Sequence, residues 1–200
     1  MSSAIRDVGE TLIDLLRTRL SVFIPNPDQI ALVSPAEAGL SGARLTLFLY
    51  SIGPNPEMRN ELEIPGNTID DEPVSLPLDL YYLLTAFSPP QDPTNRSLDS
   101  QLLLGQAMRV FFENGTLSGS MLRGALPLDE ELRLSLQPMT IEDLTRLWSV
   151  FPETILTASV SYLVTPVRLR STATRGGERV VSRQVDFDHV VPLHKEEESP

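Results

Sequence analysis

Two stretches of the chain carry bulky side chains on both faces of an extended strand, and they constrain the fold more than any other feature. Arg44–Ile52 (RLTLFLYSI) has two such faces, namely Leu45, Leu47 and Leu49 on one and Thr46, Phe48 and Tyr50 on the other. Leu78–Phe87 (LDLYYLLTAF) is apolar on both faces except at Asp79 and Thr85. Because successive strand side chains point to opposite faces, both sides of such strands must be covered. These stretches therefore predict a layered fold rather than a sheet with one wet face.

Periodicity elsewhere in the chain predicts the remaining elements. Apolar residues at three- and four-residue steps predict helices over 3–20 and 97–114, and a shorter helix begins at Thr140. Strands are predicted at about 44–52, 77–87, 131–137 and 155–168. This pattern indicates a single α/β (α+β) domain, with a mixed β-sheet of about four to five strands and two to three packed helices.

The last part of the chain differs in composition from the rest. From Ser171 the apolar density falls, Gly176 and Gly177 form a flexible joint, and the final residues are mostly acidic. Such a segment buries little apolar surface to offset its ordering entropy. We therefore divide the chain into an α/β domain at 1–170 and a polar C-terminal arm at 171–200 that is partly flexible.

Charge and composition exclude several classes of function. The formal net charge is −11, which argues against duplex nucleic acid and against an anionic membrane surface as partners. The chain has no cysteine, which excludes a disulfide scaffold, a thiol nucleophile and Cys-ligated zinc or iron. No stretch is apolar enough to span a membrane, and the N-terminal apolar positions are interrupted by charges, so we expect a cytoplasmic protein.

A search for catalytic chemistry yields little. The nucleophile elbow, the phosphate-binding loop, the dinucleotide fingerprint and the zinc-protease motif are all missing. Two groups of polar residues deserve a test, an acidic trio in a proline-flanked loop (Asp70, Asp71, Glu72) and a possible metal set (Asp186, Asp188, His189, His194). Burial of the trio is not expected there, and strand geometry would place neighbouring members of the set on opposite faces. We therefore expect no catalytic residue, no cofactor and no metal.

The residues that favour an interaction lie in loops and in the arm. Asn55, Met58, Arg59 and Asn60 open a long proline-rich loop after the first confident strand, and Met and Arg are residue types that anchor interfaces. Asp79 lies in an otherwise apolar strand, so either it faces an arginine in a subunit or core contact, or its strand is at a sheet edge. Arg179 and Arg183 are the partner-binding candidates of the arm.

Five segments taken together resemble a known family: AIRDVGETLIDLLR, LFLYSIGPNPEMRN, LPLDLYYLLTAF, QLLLGQAMRVFFEN and LRLSLQPMTIEDLTRLWS. In this order, over about residues 4–165, they are similar to the cap or tail-terminator proteins of contractile, phage-tail-like injection systems. The resemblance implies a tail-terminator-like fold and a structural role without cofactors. It implies a ring, a hexamer, on the distal end of the inner tube, joined to the last sheath layer.

The partners expected from the resemblance are the chain itself, the inner tube protein and the sheath protein. The protein would be cytoplasmic during assembly and then part of the injection particle. One alternative is an assembly adaptor or chaperone that is not retained in the particle. Another is a small-ligand or hydrolytic enzyme with a site made from dispersed residues, which would show a concave pocket with perturbed carboxylates.

Overall fold

A computed structural model describes four parts of the chain, residues 3–58, 75–89, 92–151 and 154–170. These residues form a six-stranded sheet and four α-helices. The elements in chain order are α1 (Ala4–Arg19), β1 (Ile30–Ala31), α2 (Ala38–Ser41), β2 (Leu45–Pro54), β3 (Ser75–Ala86), α3 (Pro93–Glu113), β4 (Thr116–Ser118), β5 (Glu131–Gln137), α4 (Ile141–Trp148) and β6 (Ser159–Arg170). No helix within these ranges combines the length and the apolar character needed to cross a membrane.

The strands are arranged in the order β1-β2-β3-β6-β5-β4. Only β1 and β2 run parallel, and every other neighbouring pair is antiparallel, so the sheet is mixed as predicted. The four strands expected from periodicity are its central strands. The count exceeds the expected four to five because β4, with three residues, is too short to show a period. The helix count exceeds two to three because α2 is a single turn.

One face of the sheet packs against α1 and α3. Val8, Leu12 and Leu16 follow each other at four-residue steps along α1 and are fully buried. On α3, the Phe111 ring lies 4.9 Å from the Tyr162 ring of β6 in an edge-to-face arrangement. Such aromatic pairs contribute about 0.5–1.5 kcal/mol of stability beyond what the burial of their surface contributes. This face therefore carries the main core.

The opposite face is also covered, as the two-sided strands require. Thr46, Leu83 and Thr85 point to this face and are completely buried. The ring of Phe151, just beyond α4, packs edge-to-face on Phe48 at 5.8 Å and on Trp148 at 6.1 Å. The prediction that both sides are covered is therefore confirmed for β3 and for the first part of β2, whereas the last part of β2 is exposed.

A buried carboxylate ties α1 to the connection between β4 and β5. Asp7 accepts hydrogen bonds from the Ser3 hydroxyl at 2.5 Å and from the Ala125 N–H at 3.0 Å. Gly124 passes this carboxylate with a φ of 67°. A Cβ atom at Gly124 would lie 2.2 Å from the Asp7 carboxyl carbon, so no other residue fits there without displacing the carboxylate.

Candidate assembly surface

Three polar side chains, from β3, from β6 and from the residue that follows β2, meet where β2 ends. The Asn55 side-chain amide donates to the Asp79 carboxylate and to the Thr165 hydroxyl, both at 2.8 Å. Thr165 in turn donates to the same Asp79 oxygen at 2.5 Å. Asn55 and Asp79 are 7% and 6% exposed, so these bonds lie inside the protein. We call Asn55, Asp79 and Thr165 the polar lock.

The polar lock determines where the loop after β2 starts. The side-chain oxygen of Asn55 accepts a hydrogen bond from the Met58 backbone N–H at 2.9 Å. The backbone N–H of Asn55 donates to the Pro77 carbonyl oxygen at 3.0 Å. The first turn of the loop is therefore held against the start of β3. Met58 is half-buried there.

The position of Asp79 answers one of the alternatives raised by the sequence. Its strand, β3, is flanked by β2 and β6, so the interpretation of Asp79 as an edge residue is wrong. Within the described ranges its side-chain partners are Asn55 and Thr165 rather than an arginine. A buried carboxylate is tolerated in an apolar strand here because both neighbouring strands supply donors.

The two longest segments outside the described residues, 59–74 and 171–200, adjoin this side of the sheet. Ser75, the first residue of β3, pairs with Arg170, the last residue of β6, and Pro54 at the end of β2 pairs with Leu78. The end of 59–74 is therefore next to the beginning of 171–200. Four partner-binding candidates lie outside the described residues, namely Arg59, Asn60, Arg179 and Arg183. The acidic trio and the possible metal set lie outside them as well.

Tyrosines line the second face of the sheet below the polar lock. The Tyr50 hydroxyl shares a hydrogen bond of 2.8 Å with the Ser161 hydroxyl, and its ring lies 6.2 Å from the Tyr81 ring. Partial burial, together with the nearby Asp79 carboxylate, raises the pKa of Tyr81 above its ordinary value. The Tyr81 phenol is therefore neutral at physiological pH.

The opposite end of the sheet has an open groove of about 880 Å³. It lies between α2, the first turns of α3 and residues 154–158. The Arg44 guanidinium at the groove pairs with Asp99 at 2.9 Å, and Ser88 donates to the same carboxylate at 3.0 Å. The groove has no sequence motif, because its lining comes from segments far apart in the chain.

Two observations on the described residues bear on catalytic chemistry. Within them, no group of three or more His, Cys, Asp or Glu side chains has a geometry that would hold a metal ion. The pKa of Glu37 is lowered by hydrogen bonds from Ser34, and that of Asp92 by the Asn95 N–H. A general acid needs a raised pKa, and both of these exposed carboxylates cap turns instead.

Comparison with known proteins provides independent information. The family model of the Pvc16 N-terminal domain matches residues 7–183. No curated protein matches the chain in sequence.

Two solved structures share the fold. One is the PVC sheath/tube terminator of an extracellular contractile injection system in the extended state, with a TM-score of 0.57 and 18% identity over 94% of this chain and 65% of that chain. The other is the anti-feeding prophage cap, a tube-terminating cap, with a TM-score of 0.52 and 15% identity over 90% of this chain and 60% of that chain. This chain thus spans about 60–65% of the length of those two.

Proposed function

Because this chain belongs to the Pvc16 N-terminal domain family, we propose that it is a structural cap of a contractile injection particle. The observation that carries the proposal is the family match over residues 7–183, which confirms the resemblance seen in the five sequence segments. The terminator fold of the two solved structures supports it. In this role the chain forms a ring, a hexamer, at the distal end of the inner tube and joins the tube to the last sheath layer. The role is structural and not enzymatic.

The arrangement of the sheet suits this role. A closed ring of identical subunits uses two different complementary patches on each subunit. Residues 59–74 end at Ser75, which pairs with Arg170, the residue that precedes 171–200. We propose that Met58, Arg59 and Asn60 of the first segment, and Arg179 and Arg183 of the second, contact neighbouring proteins.

Asn55 and Asp79 act indirectly in this proposal. Their polar atoms are occupied by each other, by Thr165 and by Met58. They are therefore positioning residues, which hold the start of the loop so that Arg59 meets its partner in a defined place.

The test is to locate the protein in assembled particles. Full-length chain carrying an epitope label should co-purify with particles and should be found at one tube end by immunogold electron microscopy. Particles made without the chain should have tubes of irregular length. An assembly adaptor or chaperone would not be retained in purified particles. If the labelled chain is absent from purified particles, the cap proposal is contradicted.

The domain division is tested with the same assay. A chain ending after Arg170 should keep the circular dichroism spectrum of the α/β domain, because the described sheet ends there. It should cap poorly and give tubes of irregular length. Tubes of uniform length with the shortened chain would show that the arm is dispensable.

A further inference from the structure

Among the described residues, the outer edge of β2 has a partner strand along only a short part of its length. β1 pairs with β2 at Leu45 and Thr46 only. From Leu47 to Gly53, no strand or backbone hydrogen bond of the described residues satisfies β2 on the side away from β3. We call Leu47–Gly53 the open edge.

The open edge has few of the features that protect free strands from pairing. Natural edge strands are blunted by short length, by charged side chains, by proline or by a bulge. The open edge has one of these, a bulge between Leu49 and Ser51. β4, at the other edge of the sheet, is short, with three residues. The open edge has no charge and no proline within it, and its Ile52 side chain is 47% exposed. A Cβ atom at Gly53 would meet no other atom of the described residues within 4 Å, so the face of the sheet beside Gly53 is open.

We propose that the open edge accepts residues 178–191 of a second copy of this chain as an additional β-strand. This inference rests on the proposed function, in which the subunits form a ring. Each subunit of a ring needs two complementary patches, and here they are the open edge and residues 178–191. Main-chain hydrogen bonds to the edge supply the affinity, and alternate side chains supply the specificity.

The sequence of 178–191 fits this role. Around its middle, Val185 and Phe187 fall on one face of an extended strand, and Gln184, Asp186 and Asp188 fall on the other. On the open edge, Ile52 pairs with Leu80 and therefore points to the α1 side of the sheet. An added strand that places Val185 and Phe187 on that side covers Ile52 and leaves its carboxylates in water.

The path of the chain favours donation to a neighbour over self-pairing. Arg170 ends β6, two strands away from β2, which is about 10 Å at the usual strand spacing. A return to its own open edge would cross the sheet end where Asn55 bonds to Thr165 and Met58 turns back onto Asn55. Donation to the next subunit avoids this turn, and it closes a ring when each copy donates once.

Disulfide trapping tests the proposal, because the chain has no cysteine of its own. Full-length Ile52→Cys is mixed with full-length Phe187→Cys, or with Val185→Cys to allow for register, and oxidised at high protein concentration. We expect a disulfide-linked dimer of the two different variants on non-reducing gels, which reductant removes. The matched control replaces Ile52→Cys with Ile141→Cys, a more exposed isoleucine on α4, and should give no such dimer.

A second variant separates the possible occupants. Ile52→Lys places a charge on the open edge and should abolish both the ring and the capping of tubes, whereas Ile141→Lys should leave both intact. A double variant carries Ile52→Cys and Phe187→Cys in one chain. If this variant forms a disulfide within one chain and the mixed single variants form none, the segment pairs with its own open edge and the proposal is overturned. If Ile52→Lys loses capping but the cysteine variants form no cross-link, the open edge binds another protein and the proposal is overturned. If the cysteine variants form no cross-link and Ile52→Lys still caps tubes, while the chain still localises to tube ends, the proposed role of the open edge is refuted and the proposed cap role is not.

Discussion

Replacing Asn55 by Ala should remove the polar lock's link to the loop while leaving the sheet intact. The change deletes the amide that donates to Asp79 and Thr165 and the oxygen that accepts the Met58 N–H. A buried acceptor that loses one partner costs about 1–3 kcal/mol, and a neutral hydrogen bond contributes about 0.5–1.5 kcal/mol. Thr165 still donates to Asp79, so the total loss should be about 2–4 kcal/mol of the free energy of unfolding.

The matched control is Asn26→Ala. Asn26 also accepts a backbone N–H, that of Asp28 at 3.0 Å, but this bond is exposed to solvent. Its loss should cost about 1 kcal/mol, as for other helix caps. Urea unfolding followed by the fluorescence of Trp148, which is the single tryptophan and is buried, measures both variants. If Asn55→Ala loses no more than Asn26→Ala, the buried network does not hold the loop and the reasoning is refuted.

A double-mutant cycle checks that the network acts as a unit. Thr165→Val removes the second donor to the same Asp79 oxygen. Side chains in one hydrogen-bond network show interaction energies of about 0.5–3 kcal/mol, so the effects of Asn55→Ala and Thr165→Val should not be additive. Additive losses would indicate two independent hydrogen bonds.

Three further changes should have separable effects. Gly124→Ala should lower the free energy of unfolding in urea by about 3–5 kcal/mol, and Gly119→Ala by about 1–2 kcal/mol. Both glycines have positive φ, but of the two only Gly124 lies against the buried Asp7 carboxyl group. Equal losses would contradict this account. Burial raises the pKa of Tyr82, so its contribution to stability is complete below pH about 10 and is lost as pH rises beyond that value; Tyr82→Phe should flatten this alkaline loss in pH-dependent unfolding. Arg59→Glu should weaken ring formation and tube binding without unfolding the monomer, whereas Arg109→Glu on the exposed side of α3 should not, as measured by light scattering and tube co-sedimentation.

Local periodicity was sufficient to identify the central strands, but not their limits. The strand predicted at 131–137 coincides with β5, because alternating leucines are bounded there by Pro138. The strand predicted at 155–168 begins instead at Ser159, although Ile155 and Leu156 continue the alternation. Strand assignment requires a partner, and the ladder between β3 and β6 stops at the pair of Thr85 with Ser159. That limit is set by a distant part of the chain, so no local pattern contains it.

The candidate site was predicted only in part for the same reason. Asn55 and Asp79 both stood out in the sequence, the first as a loop residue and the second as a lone charge in an apolar strand. Their contact joins residues 24 apart, and Thr165 lies a further 86 beyond Asp79. Pairing of β2 with β3 and of β3 with β6 creates it. Residue type therefore indicates which positions are unusual, whereas strand pairing determines that both side chains are buried.

The polar lock also explains why an apolar strand keeps a carboxylate at this position. An apolar side chain at residue 79 would avoid the desolvation of a buried carboxylate, but it would leave the Asn55 amide and the Thr165 hydroxyl without their shared acceptor. Apolar contacts tolerate small shifts, whereas hydrogen bonds of 2.5–2.8 Å are met in one register only. The network lies where β2 ends, four residues inside β3 and five residues before the end of β6. A polar contact there fixes β2, β3 and β6 relative to each other, which the proposed ring would use because every subunit must offer its two patches at the same angle to the next.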